Sequence, residues 1–299
     1  MSIYTFRSVK EWFPQYSVLP IWPNIHTAAT IKPQFTYNNS TDAPMEREIS
    51  KITHPEIMIV PSTTPNGIGV LLIPGGSYKR VAFDKEGVDT AINLSSKGYT
   101  VFVMTYRMPA DGHKEGNRVS LADAQRAMRI IRSQSDRWGL KHLGVIGFSA
   151  GGHVTSSLAT CFEMETYESV DELESISARP DFFSLMYPVI TMDETIGHPG
   201  SRLQLLGSSP DEHALTAFST ETTVSPKTPP CFLVHASDDK AVKVENSLVF
   251  WQVLKAHQVP TEIHLFENGG HGFAIRDTIG LPVEAWPQLF DIWVKRHFH

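Results

Sequence analysis

The sequence predicts an α/β fold in which a mostly parallel central sheet carries helices on both faces. Short apolar runs alternate with helical segments from residue 67 onward, and most of these runs are apolar throughout instead of alternating with polar residues. Strands of this kind are typical of parallel sheets that crossover helices cover on both sides. The chain has 299 residues, of which 41% are hydrophobic and 19% charged, so it can bury a large core without disulfides.

The predicted elements follow one another in a regular order. Buried strands are predicted over residues 69–74, 99–106, 143–148, 182–190, 231–235 and 261–266. Helices are predicted over residues 84–97, 149–162, 244–257 and 284–297, and a further one begins near Ser120, where Ser120 and Asp123 have capping-box spacing.

Two regions depart from this rhythm. Residues 1–65 are rich in proline, which favours edge strands and loops, so they predict an N-terminal arm that packs on the core. Residues 66–299 predict the α/β domain itself. Within it, residues 191–230 hold Gly, Pro, Ser and only short helical pieces, which predicts a small loop or lid insertion.

Composition excludes several classes of function. The net charge is −6 and the basic residues form no stripe, which argues against nucleic-acid binding. No run of apolar residues is long enough to span a membrane, and the first twenty residues lack the apolar core of a signal peptide. We therefore expect a cytoplasmic protein. Cys161 and Cys231 are then expected to be small buried residues in a reducing compartment, although a disulfide between them stays open.

The most informative motif is Gly147-Phe148-Ser149-Ala150-Gly151, which matches G-x-S-x-G. It follows a predicted buried strand and opens a predicted helix, the context in which this motif presents a nucleophilic serine on a sharp turn. Side chains at the two glycine positions are expected to collide across that turn. The Ala150 amide, near the positive end of the helix, is a candidate oxyanion donor. The alternative is a serine that only caps a helix after a glycine-rich turn.

A second oxyanion donor is expected from the loop that follows the strand at 69–74. This loop has the sequence Gly75-Gly76-Ser77-Tyr78, in which glycine lets the backbone approach a substrate carbonyl. We favour the amides of Gly76 and Ser77, and the alternative is an ordinary Gly-Gly turn.

A neutral serine needs a general base that a carboxylate orients. His271 follows a predicted strand and is flanked by glycines, which predicts a mobile-looking loop that presents the imidazole. Asp239 follows another strand and is the candidate acid, with Asp238 as the competing neighbour. His153, four residues after Ser149, is expected to pack in the helix. The histidines show no metal-ligand spacing, so neither a metal nor a cofactor is expected.

At these residues the chain resembles the α/β-hydrolase superfamily, and within its esterase/lipase branch the bacterial xylan-esterase-like group of acetyl and feruloyl esterases. The resemblance implies the α/β-hydrolase fold, a triad of Ser149, Asp239 and His271, and no metal or organic cofactor. The segments that carry it are residues 19–23, 73–78, 106–107, 147–153, 235–246 and 269–273.

The resemblance implies an esterase that deacetylates a small acylated carbohydrate, such as an acetylated xylo-oligosaccharide. Ser77 stands where the group usually has a third glycine, which is expected to narrow the site, and the missing export signal argues against polymeric xylan. Segment 191–230 is too polar for a long-chain lipase. The alternatives are a feruloyl esterase, a serine peptidase of the same fold and a non-catalytic small-molecule-binding protein. The oligomeric state stays open.

Overall fold

The structure, a computed structural model, describes residues 2–5, 8–23, 34–37 and 46–298. The strands in these residues are β1 (Ser2–Thr5), β2 (Ser17–Pro20), β3 (Gln34–Tyr37), β4 (Arg47–Ser50), β5 (Glu56–Val60), β6 (Ile68–Ile73), β7 (Val81–Ala82), β8 (Thr100–Met104), β9 (His142–Phe148), β10 (Phe183–Met186), β11 (Cys231–Ala236) and β12 (Thr261–Phe266). The α-helices are α1 (Asp89–Ser96), α2 (Val119–Ser133), α3 (Ser149–Thr160), α4 (Pro199–Leu206), α5 (Glu212–Ala217), α6 (Glu245–Ala256) and α7 (Trp286–Phe298).

Eight strands form the central sheet in the order β12-β11-β10-β9-β6-β8-β5-β2. The pairs from β12 to β8 are parallel, whereas β5 and β2 join the edge antiparallel. Strands β6, β8, β10 and β11 are buried along their whole length, as expected for strands with helices on both faces. The mostly parallel sheet and its six predicted strands are therefore confirmed.

The N-terminal region contributes to two sheets. Strands β2 and β5 extend the central sheet, and β1, β3 and β4 form a second, antiparallel sheet with β7. Residues 1, 6–7, 24–33 and 38–45 of the predicted arm lie outside the described residues. The division of the chain at residues 65 and 66 stays a prediction.

Three local predictions differ from the structure. The helix predicted over 84–97 begins as a π-helical turn, Phe83–Val88, before α1. Helix α2 begins at Val119 without a side-chain cap, because Ser120 donates its hydroxyl to the Arg107 carbonyl and Asp123 is taken by Arg107 and by Trp22. The strand predicted over 182–190 ends at Met186.

Segment 191–230 holds α4, α5 and a 3₁₀ turn, Thr220–Thr223, in line with the predicted short helical pieces. Both cysteines are free thiols, Cys231 buried and Cys161 half-buried. Within the described residues no helix is long and apolar enough to cross a membrane.

The topology brings the candidate residues to one edge of the sheet. Strands β6 and β9 are parallel neighbours with Ile73 opposite Gly147, so the glycine loop and the serine turn leave the sheet side by side. The segments after β10, β11 and β12 leave at the same edge. Ligands bind outside the carboxyl ends of strands in open α/β sheets, so this edge is the candidate site.

Candidate active site

Ser149 stands on a strained turn between β9 and α3. Its φ of 51° lies in the left-handed region, which is unusual for a non-glycine residue and is found where structure around a functional group enforces it. A Cβ on Gly147 would clash with the carbonyl of Gly151 and with Thr155, as the sequence predicts for this turn. A Cβ on Gly151 would instead clash with the carbonyls of Ile73 and Pro74, so this glycine lets the end of β6 pack against the turn.

The structure brings the three predicted triad residues together. Ser149 Oγ lies 2.8 Å from His271 Nε2, and His271 Nδ1 lies 2.7 Å from Asp239 Oδ2. A carboxylate accepts from Nδ1–H, so Nε2 carries the lone pair and accepts the serine proton. This tautomer is the one that a general base requires. The hydroxyl, the imidazole and the carboxylate therefore form one continuous chain of hydrogen bonds.

Asp239 is held in place by four donors. Its Oδ1 accepts from the amides of Ala241 at 2.8 Å and Val242 at 2.9 Å, and its Oδ2 accepts from His235 Nε2 at 3.1 Å as well as from His271. Burial alone would raise the pKa of Asp239, but the hydrogen bonds from the two histidines, the charge at His271 and the Val242 amide hold it well below its ordinary value. The acid is therefore ionised and acceptor-only, and both of its oxygens are fixed.

Asp238, the competing neighbour, has a different partner. Its Oδ1 accepts from the amides of Gly269 at 3.0 Å and Gly270 at 2.8 Å, just before His271. The loop that carries the base is therefore fastened at its start to the loop that carries the acid, and the mobile-looking loop stays a prediction. Gly270, with a φ of 63°, adopts a backbone conformation that glycine accommodates without strain.

The predicted oxyanion loop lies against the serine turn. A Cβ on Gly75 would lie 2.8 Å from Ser149 Cβ, so the two backbones are in close contact. The Gly75 amide is already taken, since it donates to Glu86 Oε2 at 2.6 Å. The amides of Gly76 and Ser77 have no acceptor in the part of the chain that the structure describes. Ala150, second in α3, has one of the amides that a helix leaves without an intrahelical partner.

His153 is a buried packing residue, as the sequence predicts. Its Nε2 lies 2.7 Å from the Phe218 carbonyl and must donate to it, so Nδ1 accepts from the Tyr78 hydroxyl at 2.7 Å. Burial lowers the pKa of His153 to about 4, which keeps it neutral. Through these contacts His153 fixes Tyr78, the last residue of the oxyanion loop, to α3 and to the insertion.

The segment that leads from β10 into the insertion passes directly beside the nucleophile. The Val189 amide donates to the Ser149 carbonyl at 3.0 Å. Asn246 binds the backbone of the residues that follow. Its Oδ1 accepts from the Ile190 amide at 2.9 Å, and its Nδ2 donates to the Ile196 carbonyl at 2.8 Å. The segment that follows β10 is therefore fastened to the start of α6, beside the acid loop.

His198 stands at the start of α4 in this insertion. Its Nδ1 accepts from the Ser201 amide at 3.1 Å, so Nε2 carries the proton, and Nε2 has no hydrogen-bond partner among the described residues. Burial lowers the pKa of His198, and the positive charges of His271 and Lys79 lower it further, while the charge of Asp239 acts in the opposite direction. His198 thus offers a neutral donor at the start of α4.

Sequence reasoning missed Glu86, Tyr187 and His235 as parts of the site. His235 stands inside β11, where nothing in its neighbours distinguishes it from a core histidine. Tyr187 directly follows β10 with a φ of 38°, and no glycine marks the turn. Glu86 lies in a segment predicted as an ordinary helix. Within the described residues, no group of His, Cys, Asp and Glu side chains is arranged to hold a metal ion.

Comparison with known proteins shows that this chain is similar to esterases. Residues 57–254 match the BD-FAE family. The chain is 36% identical over 208 residues to the endo-1,4-beta-xylanase B of Butyrivibrio fibrisolvens, a match that covers 69% of this chain and 32% of that protein. It is 32% identical over 216 residues to the acetylxylan esterase of Xylanibacter ruminicola, covering 70% of this chain and 42% of the relative. The chain therefore spans less than half the length of these two relatives.

Solved structures extend the likeness to nearly the whole chain. The acetyl ester-xyloside bifunctional hydrolase of Caldicellulosiruptor lactoaceticus has 34% identity and a TM-score of 0.73, covering 94% of this chain and 96% of that one. The carboxylesterase Cest-2923 of Lactobacillus plantarum, at 22% identity and a TM-score of 0.65, covers 88% of this chain and 97% of its own, and supports the fold alone. The predicted α/β-hydrolase fold is confirmed.

Proposed function

The chain belongs to the BD-FAE family, and we propose that it is a serine ester hydrolase that removes acetyl groups from a small acylated carbohydrate. The observation that carries the proposal is the chain of two hydrogen bonds, 2.8 Å and 2.7 Å long, from Ser149 through His271 to Asp239. A serine hydroxyl becomes an effective nucleophile when a base of the correct tautomer can take its proton.

The proposed reaction has two halves. His271 Nε2 takes the proton of Ser149 Oγ as that oxygen attacks the ester carbonyl carbon, and Asp239 stabilises the resulting imidazolium. The Ala150 amide and the amides of Gly76 and Ser77 are the candidate donors to the oxyanion. The imidazolium then returns its proton to the departing alcohol, which leaves an acyl group on the serine. A water molecule, deprotonated by the same imidazole, hydrolyses that ester and restores the hydroxyl.

The relatives and the insertion support the choice of substrate. An acetylxylan esterase and an acetyl ester-xyloside hydrolase are among the relatives, which favours an acetyl group on a xylose-based sugar. The insertion offers His198 Nε2–H as a neutral donor, suited to a sugar hydroxyl or to the ester alcohol oxygen. A short acetylated xylo-oligosaccharide fits both observations. The cytoplasmic location predicted from the sequence stays a prediction.

Replacing the nucleophile tests the reaction. Ser149→Ala should lower kcat by a factor on the order of 10⁴ or more while the protein keeps its fold, because only a hydroxyl is removed. The matched control is Ser157→Ala on the same helix, which should keep wild-type kcat. Circular dichroism and thermal unfolding of both variants report the fold. A Ser149→Ala enzyme that keeps more than a tenth of the wild-type kcat overturns the proposal.

A panel of esters tests the substrate. We expect kcat/KM to be higher for p-nitrophenyl acetate than for p-nitrophenyl octanoate, and acetate to be released from an acetylated xylo-oligosaccharide. Each buried CH₂ contributes only about 0.8 kcal/mol, so a long acyl chain needs an extended apolar groove. A tenfold preference for octanoate would contradict the short-acyl assignment. A preference for methyl ferulate would indicate that the substrates are feruloyl esters instead.

A further inference from the structure

A second carboxyl group lies beneath the candidate triad. Glu86 is 5% exposed, and it sits in the π-helical turn Phe83–Val88 that opens the segment before α1. Such turns are often found at functional sites, because the extra residue re-aims neighbouring side chains. Burying a carboxyl group is costly unless donors satisfy it, so its partners indicate what it is for.

The donors to Glu86 have a fixed direction. Its Oε2 accepts from the Gly75 amide at 2.6 Å, and its Oε1 lies 3.0 Å from the Tyr187 hydroxyl. That hydroxyl also accepts from the Ala274 amide at 3.2 Å, so its own proton is directed to Glu86. Backbone amides cannot reverse their role. The hydrogen bonds therefore run from both sides into Glu86, which suits the acceptor-only, ionised form of a carboxyl group.

This chain of hydrogen bonds joins the loop beside the nucleophile to the loop that carries the base. At one end is Gly75, which touches Ser149 and leads into the oxyanion loop. At the other end is Ala274, three residues after His271. The carbonyl of Ala274 also accepts a hydrogen bond from Trp286 Nε1 at 2.6 Å. Between them, the Tyr187 ring packs edge-on against the His271 imidazole, with centroids 5.0 Å apart.

We propose that Glu86 is a positioning residue. Its ionised carboxylate fixes the oxyanion loop relative to the loop that carries His271, and it stabilises the imidazolium of His271. The inference rests on the proposed function. Glu86 touches none of the reacting atoms; it acts through Gly75, through Tyr187 and through its charge. Its negative charge contacts the hydroxyl of Tyr187, whose ring packs against the imidazole, and therefore favours the protonated imidazole that arises when Ser149 attacks.

Several other charged or titratable groups surround this pair. Burial raises the pKa of Glu86 above its ordinary value, although the Gly75 amide, positive charge at His271, the Tyr187 hydroxyl and the charge of Lys85 act to lower it. The groups that interact electrostatically with Glu86 are His271, Lys85, Glu46, Tyr106 and Tyr187. Those that interact with His271 are Asp239, Glu86 and His198, and the Tyr187 ring packs against it. A test must therefore change the charge at Glu86 without disturbing these neighbours.

Glu86→Gln makes that change with a side chain of the same shape. The amide oxygen can still accept from Gly75, but its NH₂ group then points at the Tyr187 hydroxyl, which already receives the Ala274 amide. The matched control is Asp291→Asn, which also removes a buried carboxylate that accepts from a tyrosine hydroxyl, Tyr99 at 2.9 Å. Tyr99 precedes β8, so this control lies at the opposite edge of the sheet from the triad.

The readout is the pH profile of kcat/KM on p-nitrophenyl acetate, together with kcat, KM and thermal unfolding. In Glu86→Gln we expect kcat to fall about 10- to 100-fold with little change in KM, as for loss of an interaction made in the transition state. We also expect the acid limb to move to lower pH by about half a unit to one unit, because protonation of the imidazole becomes less favourable. Asp291→Asn should leave both kcat and the limb unchanged.

Two results would overturn the proposal. One is a Glu86→Gln enzyme whose kcat stays within twofold of wild type. The other is a lower kcat with the acid limb in its wild-type place, which indicates structural damage alone. If Glu86→Gln does not fold, Tyr187→Phe keeps both the carboxylate and the ring against His271; it should lower kcat about tenfold, and an unchanged kcat would overturn the inference.

Measuring Ser149→Ala in parallel separates the two proposals. An active Ser149→Ala enzyme defeats the proposed function itself. An inactive Ser149→Ala enzyme beside a Glu86→Gln enzyme that behaves like Asp291→Asn defeats only the role of Glu86.

Discussion

The two halves of the candidate site are held in place by different means. The nucleophile half is fixed by backbone: β9 ends at Phe148, Ser149 stands in a left-handed conformation, and a side chain on Gly147 or Gly151 would clash with main-chain carbonyls. The acid–base half consists of loops that side chains fasten, since Asp238 binds the amides before His271 and Tyr187 binds the amide of Ala274 after it.

This difference predicts different responses to mutation. A substitution in the nucleophile half creates a steric conflict that the sheet cannot absorb, because interiors are close-packed. A substitution in the acid–base half removes hydrogen bonds one at a time and should reduce activity in graded steps, except where the proton arrangement of the imidazole itself changes.

Among the substitutions that compare the two halves, the largest effect is expected at that exception, Asp239→Asn. The amides of Ala241 and Val242 bind Oδ1 and will hold the oxygen of the asparagine, so its NH₂ group must face His271 Nδ1 and His235 Nε2–H. Nδ1 then has to accept, which places the imidazole proton on Nε2, where the base must be free. We expect kcat to fall by a factor on the order of 10³ to 10⁴. A loss below tenfold would transfer the acid role elsewhere.

The second effect tests the nucleophile half through Gly151→Ala. The added methyl group meets the carbonyls of Ile73 and Pro74, so the end of β6 and the oxyanion loop must shift. We expect kcat to fall about 100-fold and stability to drop by about 1–3 kcal/mol. The control is Gly139→Ala, which has a φ of 61° but open space around it and lies before β9, far from the triad. An equal fall in kcat in the two variants would contradict a steric role for Gly151.

The smallest effect is expected at Asp238. Two variants there distinguish its role as a hydrogen-bond acceptor for the loop before His271 from the effect of its charge. Asp238→Ala removes the acceptor of two amides and should lower kcat about tenfold, since the base is then less well positioned. Asp238→Asn keeps an acceptor oxygen in the same place and should restore most of the activity. An asparagine variant as impaired as the alanine variant would show that the charge, not the anchor, matters.

The backbone-determined half was largely predictable from sequence. Strands β6 and β9 are apolar apart from His142 and end in glycine motifs, so a local pattern specifies both the elements and the turn at Ser149. The order of Ser149, Asp239 and His271 along the chain also follows from loops that come after buried strands. Periodicity could not separate Asp238 from Asp239, because both leave β11 in one loop and only the fold shows which amides each one meets.

Glu86 shows why the side-chain network was not predictable. In an ordinary helix Asp84 and Glu86 would point about 200° apart, so one of them would face solvent. The π-helical turn buries both, Asp84 against Arg47 and Glu86 against Gly75. Arg47 lies 37 residues from Asp84, and Gly75 lies 11 residues from Glu86. Neither these contacts nor the π-helical turn produces a local pattern in the sequence.

The central claim, that Ser149 is the nucleophile, can be tested by trapping it. Diethyl p-nitrophenyl phosphate transfers a diethylphosphoryl group to the activated serine of such enzymes and releases p-nitrophenol. Intact-mass and peptide mass spectrometry should find one such group per chain, on the peptide that contains Ser149, with activity lost in proportion and no adduct in Ser149→Ala. An adduct on another residue that accounts for the inactivation, or full inactivation of the enzyme without any adduct at Ser149, would contradict the account.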